Sequence, residues 1–432
     1  MLMAEKIARR VVQKGGRTFY VGGYVRDKLL GIDNKDIDIE IHGILPEILE
    51  EILEEVGKKT EMGASFGIFG LKGYDLDIAM PRKEEATGRG HKDFAVFVDP
   101  FLGTLKAAMR RDFTMNALME DVLTGEIIDH FGGVEDMKKG VLRHVNAQTF
   151  VEDPLRVLRA AQFTARFGFS VADDTIELAK TMDLTALARE RIWGELEKAL
   201  LKSDKPSIFF EEMRKMEQLT FWFPEVKQLL DVTIDGESLW LHTMLVLDRA
   251  ASIKNQSKHP LWFMLAAFTH DFGKMTMFQK DPEETEFENH GVKGVDTVAA
   301  FILRINNETK LIKYVKNMVA LHMECGKLAR TTASKKEMNR LFDKAVEPDD
   351  LVLLASIVSQ DGLPEKQREF LECRVQNFHE IMARPYVMGA DLMKAGMKPG
   401  PHFSEILAYA HDLRLEEVEK EIALRRTLEK FF

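Results

Sequence analysis

Near Pro154 the apolar residues of this 432-residue chain change their period, and that change limits the architectures open to it. Before it, short β-branched and aromatic runs at 19–21, 37–41, 66–71, 76–80 and 126–128 accompany a helical stretch at 45–57, the pattern of a small mixed α/β domain. After it, residues 155–167, 173–182, 190–201, 208–216, 239–253 and many later segments carry apolar side chains at helical spacing. The expected class is α+β, a mixed α/β head followed by an all-α remainder. A mass of 49.3 kDa exceeds one ordinary core. Motif positions place the parts at 1–150, 151–225, 226–375 and 376–432.

Composition excludes more than it selects. Cys325 and Cys373 are too few for a disulfide framework and are not spaced as a zinc site. The chain shows no signal-peptide core and no apolar run long enough to cross a bilayer, so a soluble protein of the reducing cytoplasm is expected. A net charge of −10 argues against a basic coat, yet an enzyme that holds one RNA end needs only a local positive track.

The chemistry-bearing runs begin at Gly22-Gly23-Tyr24-Val25-Arg26-Asp27, followed by Lys35-Asp36-Ile37-Asp38-Ile39-Glu40. Side chains two apart on a strand share a face, so Asp36 and Asp38 are expected to project together while Ile37 and Ile39 enter the core. Paired carboxylates suit a hard cation such as Mg²⁺. Gly22 and Gly23 let backbone amides approach a triphosphate, with Arg26 in the same turn. Asp75-Leu76-Asp77-Ile78 offers a third carboxylate, Asp77 being the better candidate. Arg110-Arg111-Asp112-Phe113-Thr114-Met115-Asn116-Ala117 supplies cations for phosphate, with Arg111, Asp112 and Asn116 as nucleotide contacts. Ile128-Asp129-His130-Phe131-Gly132-Gly133 reads as a supporting strand and turn.

In Glu152-Asp153-Pro154-Leu155-Arg156-Val157-Leu158-Arg159, the residues Asp153, Arg156 and Arg159 share one helix face at three-residue spacing. A salt-bridge ladder has the same spacing. The chemical reading explains more: cytosine and adenine present an amino donor beside a ring-nitrogen acceptor, whereas uracil and guanine reverse that order. A carboxylate that accepts and a guanidinium that donates therefore match C and A.

Taken in order, these motifs together with Glu190-Arg191-Ile192, Glu195 and Lys198 resemble those of class II tRNA nucleotidyltransferases, the bacterial CCA-adding enzymes and their poly(A) polymerase relatives. The resemblance covers about the first 200 residues. It implies a polymerase-β-like head with a helical neck, body and tail. It further implies Mg²⁺ at Asp36 and Asp38, ribose contacts from the region of Arg111 to Asn116, and protein-templated choice of CTP or ATP by Asp153 and Arg156. The tRNA 3′ end is the implied partner. The Gly- and charge-rich run at 83–94 corresponds to a flexible loop that serves switching to ATP. Gly63-Ala64-Ser65-Phe66 stands where poly(A) polymerases carry a doubled-arginine signature, which favours the tRNA enzyme over poly(A) addition and leaves an A-only enzyme open.

His242, His270, Asp271, His290, His322 and Asp361 occur in the order of the HD phosphohydrolases. Imidazole and carboxylate ligands on helices suit a divalent transition metal, and His290 with His322 offers a second position. The resemblance implies phosphohydrolase activity toward phosphate esters or 2′,3′-cyclic ends, and a chain acting mainly as such a hydrolase with an RNA-holding head is the competing reading. Toward the end, Gly389 to Met393 and Gly396 to Pro401 read as a tight turn before a helix starting near His402, or as an RNA-phosphate contact beside Lys398. Oligomeric state is not legible.

Overall fold

In the computed structural model the described residues are 2–63, 68–86, 94–234, 236–280, 287–331, 333–359 and 361–432. Contacts divide the chain into two compact units, Met1–Leu187 with Ile208–Gln218, and Ala188–Ser207 with Leu219–Phe432.

The first unit is built on strands β1 (Arg17–Val21), β2 (Ile37–His42), β3 (Lys59–Gly63), β4 (Ile68–Leu71), β5 (Leu76–Ala79), β6 (Arg82–Ala86), β7 (Phe94–Val98), β8 (Met119–Asp121) and β9 (Ile127–Ile128). Seven of them form one sheet in the order β3-β4-β5-β2-β1-β8-β9, and β6 pairs with β7 in a separate hairpin. β2 runs antiparallel to β1 and parallel to β5, in a register that sets Asp38 beside Asp77. Alternation explains the layering: Phe19 and Val21 of β1 join Ala107, Ala108, Ala117 and Met119 in one apolar cluster. Helices Leu2–Gln13 and Pro46–Val56 pack together, the first also against β1. Helix Leu155–Phe167 buries Leu155, Val157, Leu158, Ala161 and Phe163 and stops at Gly168, whose left-handed φ of 68° ends it.

In the second unit, Leu239–Ile253, Pro260–Thr269, Thr309–Arg330 and Pro348–Ile357 pack on one another. A separate C-terminal cluster gathers Val387, Leu392, Met397, Ile406, Ala410, Leu413 and Ala423. Gly389–Lys394 and Phe403–Leu415 are helices, and Gly396, at φ 96°, lies in the turn between them.

The α+β class and the helices at 155–167 and 239–253 match the expectation residue for residue. Three differences have physical causes. β3 (KTEMG) and β6 (RKEEA) are polar strands without the apolar alternation that marks a half-buried one. β6 and β7 replace the two ends of the loop expected at 83–94, while 64–67 and 87–93 lie outside the described residues. Beyond Pro154 the chain is not wholly helical: Ser170–Val171 pairs with Val141–Leu142, and Thr233–Ile234 with Glu237–Ser238, in ladders too short to leave a period.

Candidate functional site

The first site forms around the middle of the seven-stranded sheet. β2 starts at Ile37, so Asp36 lies just before the strand, exposed, its N–H donating to the Asn34 side chain at 3.0 Å. Asp38 is half-buried and Asp77 exposed. Burial raises the Asp38 pKa, and the negative charge of Asp77, then of Asp36, adds to the rise, against the opposing pull of Arg111. A carboxylate whose pKa is raised by neighbouring carboxylates belongs to a donor set that a hard cation relieves. Gly22, with a left-handed φ of 65°, runs beneath Arg111: a Cβ there lies 3.1 Å from Arg111 Nη1 and 3.9 Å from Asp38 Oδ2. Glu40, two residues along β2, accepts from Arg111 Nη2 at 3.5 Å and meets His42 Nε2 at 2.8 Å. Burial pushes the Glu40 pKa up, but His42 and Arg111 outweigh it and hold the carboxylate low. The Nε of Arg111 is buried without a hydrogen-bond partner among the described residues.

A buried network ties this turn to the helix that starts after Pro154. Arg26 is 4% exposed; it pairs with Asp27 at 2.6 Å, donates to Asn116 Oδ1 at 2.7 Å, and stacks over Phe163 and Phe167. Asn116 donates to Asp112 Oδ1 at 3.0 Å, and Arg159 closes on Asp112 Oδ2 through Nε at 2.7 Å and Nη2 at 2.6 Å. Burial alone drives the Asp112 pKa up, yet the guanidinium of Arg159 and the Asn116 amide win and hold it below the usual carboxylate range. Arg156 donates to the carbonyls of Thr149 and Arg110, both at 2.7 Å, and Asp153 Oδ1 accepts from the N–H of Leu155 at 3.1 Å. Asp129 takes the N–H groups of Phe131, Gly133 and Val134, so its run supports the fold: Gly133 sits where any Cβ would strike the Thr114 carbonyl at 2.3 Å.

The second site lies in the helical unit. His270, Asp271, His290 and His322 are each 1% exposed, with His242 at the edge. His242, His270 and Asp271 bring ligand atoms within 4.8 Å of one another, and so do Asp271, His290 and His322. The Nδ1 atoms of His270, His290 and His322 face the carbonyls of Ala267, Phe287 and Val319 at 2.8, 2.8 and 2.6 Å. A carbonyl only accepts, so each of these rings donates from Nδ1 and turns Nε2 inward as its remaining ligand atom. His290 and His322 meet Nε2 to Nε2 at 3.2 Å, and His242 and His270 at 3.3 Å, while Asp271 Oδ1 lies 2.9 Å from His290 Nε2 and Asp271 Oδ2 3.2 Å from His270 Nε2, a cluster of ligand atoms that suits a metal cation. Burial, then neighbouring histidines, lowers the His242 pKa to about 4 and the His322 pKa to about 3, so both rings are neutral ligands at pH 7. Burial opposes ionisation of Asp271, but His270 and Lys274 keep its carboxylate well below the usual range.

Two glycines seat these rings. A Cβ at Gly273 would lie 1.8 Å from the His290 carbonyl, and one at Gly291 2.4 Å from the Val319 carbonyl, so helix backbones touch at both places.

Comparison with known proteins matches residues 18–143 to the poly A polymerase head domain, 168–230 to a probable RNA and SrmB-binding site of polymerase A, and 239–359 to the HD domain. A Multifunctional CCA protein of Nitrosospira multiformis is 33% identical over 393 residues, covering 88% of this chain and 88% of that protein. The chain belongs to the multifunctional CCA protein family. Its relative from Nitrosomonas eutropha is 37% identical over 300 residues, covering 67% of this chain and 69% of that one. The fold is that of the Thermotoga maritima CCA-adding enzyme complexed with tRNA, with a TM-score of 0.68 and 21% identity, covering 100% of this chain and 95% of that one.

In this family member most of the sequence-expected residues fall into three groups. Gly22, Gly23, Asp38, Asp77 and Arg111 gather at the sheet, with Asp36 beside them, and five of the six HD residues gather in the helical unit. Arg26, Asp112, Asn116 and Arg159, expected as nucleotide contacts, are linked to one another by hydrogen bonds, the first three buried and Arg159 half-buried. Asp361 is exposed in a turn and belongs to neither ligand group. Three further residues belong to these sites: Glu40 continues the Asp36, Asp38 alternation, and Gly273 and Gly291 flank His-Asp and His290 in the sequence.

Proposed function

We propose that this chain adds CMP and AMP to the 3′ end of tRNA from CTP and ATP, without a nucleic-acid template. The observation that carries the reading is Asp38 set beside Asp77 with Gly22 and Arg111 next to Asp38. In the reaction the ribose hydroxyl oxygen bonds to the α-phosphorus as the bond to pyrophosphate breaks. Asp36, Asp38 and Asp77 would hold Mg²⁺, which when bound activates the hydroxyl and neutralises charge on the leaving group. The bare backbone at Gly22 admits the triphosphate, Arg111 donates to its oxygens, and Glu40 holds Arg111 in place. Asp153 accepts from the exocyclic amine of C or A, and Arg156, anchored through two of its five N–H donors, gives another to the ring nitrogen. Arg26, Asp112, Asn116 and Arg159 fix the base-reading helix against the phosphate-binding turn. Residues 1–150 act as catalytic head, 151–225 as nucleotide-selecting neck, 226–375 as HD domain and 376–432 as tail, in a cytoplasmic enzyme.

The HD group carries a second activity in this reading. His242, His270, Asp271, His290 and His322 would hold a divalent transition metal, which when bound supplies a hydroxide nucleophile for phosphate-ester hydrolysis.

The test is incorporation on tRNA lacking its last three, two or one residues, with each NTP alone and with CTP plus ATP. Restoration of the full 3′ end from all three substrates is expected. Addition confined to A on the substrate lacking one residue, or open-ended A tails, replaces the reading with an A-adding enzyme or a poly(A) polymerase.

A further inference from the structure

Asp36 is the one carboxylate of the head's donor set that the sheet does not hold. The ladder between β2 and β5 begins at Ile37 and Leu76 and sets Asp38 beside Asp77, whereas Asp36 lies one residue before it and is exposed. Its charge still acts on Asp38. Mg²⁺ demands a near-ideal octahedron with ligands at about 2 Å, so a carboxylate that swings at the entry to a strand serves it poorly. Asp36 therefore needs a tie that the ladder does not supply.

Asn34 supplies it. Across residues 31–36 it is the one side chain that is not exposed. Its Oδ1 accepts from the N–H of Asp36 at 3.0 Å, and its Nδ2 donates to Asp27 Oδ2 at 2.9 Å. A backbone N–H only donates and a carboxylate only accepts, so the two partners fix which way the amide faces. Asp27 is a firm anchor: it is 1% exposed, its Oδ1 pairs with Arg26 Nη2 at 2.6 Å, its Oδ2 lies 3.5 Å from Arg166 Nη2, and its carbonyl accepts from the N–H of Ile32 at 2.8 Å. Gly23 leaves the amide its place, since a Cβ there would lie 3.8 Å from Asn34 Nδ2. The residue type matters. An ionised aspartate at 34 could take the Asp36 N–H but has no proton for Asp27, serine offers a single polar atom to two partners, and alanine makes neither bond.

We propose that Asn34 is a positioning residue for nucleotidyl transfer, which orients the Asp36 carboxylate for cation binding by tying the Asp36 backbone to the buried Asp27. This rests on the reading of Asp36, Asp38 and Asp77 as the Mg²⁺ ligands of that reaction. Asn34 acts through Asp36 and gives no bond to the nucleotide.

The experiment compares the full-length parent with Asn34→Ala and with Asn34→Gln, which keeps both polar groups on a longer arm. Fe²⁺ is the probe in place of Mg²⁺: with ascorbate and hydrogen peroxide it releases hydroxyl radicals that cut the chain beside the bound ion, and fragment sizes separate cuts near residues 36–38 from cuts near His270. Asn34→Ala should raise the Fe²⁺ concentration for half-maximal cutting near 36–38 by roughly tenfold, with cutting near His270 and thermal unfolding close to those of the parent. In nucleotide addition kcat should fall by roughly tenfold or more, excess Mg²⁺ should restore part of it, and KM for CTP and ATP should change less than about threefold. Asn34→Gln should recover part of both losses. Parent-like cutting and kcat in Asn34→Ala overturn the proposal, and so does a loss confined to KM or an Asn34→Gln protein as impaired as Asn34→Ala. A parent that is cut near 36–38 but adds no nucleotide removes the transfer reading, and the cutting series then still decides whether Asn34 orients Asp36. A parent that is not cut there removes the cation assignment and the proposal with it.

Discussion

The two ligand sets of this protein are built on opposite plans. In the helical unit the candidate ligand atoms are already gathered: four of the five residues are 1% exposed, the rings are oriented by backbone carbonyls, and glycines bring their helices together. In the head, Asp36 and Asp77 are exposed, Asp38 is half-buried, and among the described residues no three acidic or imidazole ligands close as tightly as the HD groups do. The difference follows ligand chemistry. Buried imidazoles suit a transition metal that stays with the protein, whereas Mg²⁺ is usually held by one or two carboxylates together with substrate phosphates. On the proposed reading, the open set would be completed by the arriving nucleotide, and the closed set would be complete beforehand.

The sharpest way to break this contrast is to remove the open set. Asp36→Ala with Asp38→Ala should lower C and A incorporation alike by roughly a thousandfold or more, with tRNA binding and thermal unfolding near those of the parent. Incorporation that persists in gel assays of this variant would sink the assignment. Next in size is the exchange Asp153→Arg with Arg156→Asp. It should shift the ratio of single-turnover rates toward UTP and GTP by about one to two powers of ten, at lower overall activity because the bonds of Arg156 to the Thr149 and Arg110 carbonyls go too. An unchanged preference for C and A would return this helix face to a structural role.

A smaller effect separates brace from reader. Arg159→Gln should reduce kcat by roughly tenfold without altering the ratio of C to A use, because Arg159 acts through Asp112. A changed base preference would make Arg159 a reader after all. The smallest effect is on pH dependence. The folded-state pKa of Asp112 lies below its ordinary value of 3.8, so its stabilising contribution is present above about pH 3.8 and is lost as pH falls through the lower folded value. Asp112→Asn should flatten the acid limb of the first unit's unfolding curve, followed by circular dichroism; a curve as steep as the parent's would show that the Asp112–Arg159 pair adds no pH-dependent stability.

Much of this was legible in the sequence because local patterns decide it. Residues 155–167 could be placed end to end since Pro154, a broad apolar face and Gly168 all agree. The HD ligands were legible as residue types in order, and four histidines with Asp271 did converge. What a linear pattern does not carry is who partners whom. Asp112 and Arg159 read as charges available to a nucleotide, and only the fold, bringing residues 47 apart together, shows that they also pair with each other. Asp361 fits the order of the HD residues and lies exposed in a turn, outside the two ligand groups found among the described residues. The polar strands β3 and β6 are held by ladder hydrogen bonds that leave no mark on hydropathy.

The central claim, that the open and closed ligand sets serve separate chemistries, is tested most directly by one paired measurement on His270→Ala and its parent. Both are loaded with Mn²⁺, desalted and assayed for retained metal, and then for C and A incorporation with Mg²⁺ restored. The account predicts that His270→Ala loses the retained metal and still completes tRNA 3′ ends within a few-fold of the parent rate. A folded His270→Ala protein that no longer adds nucleotides would contradict it.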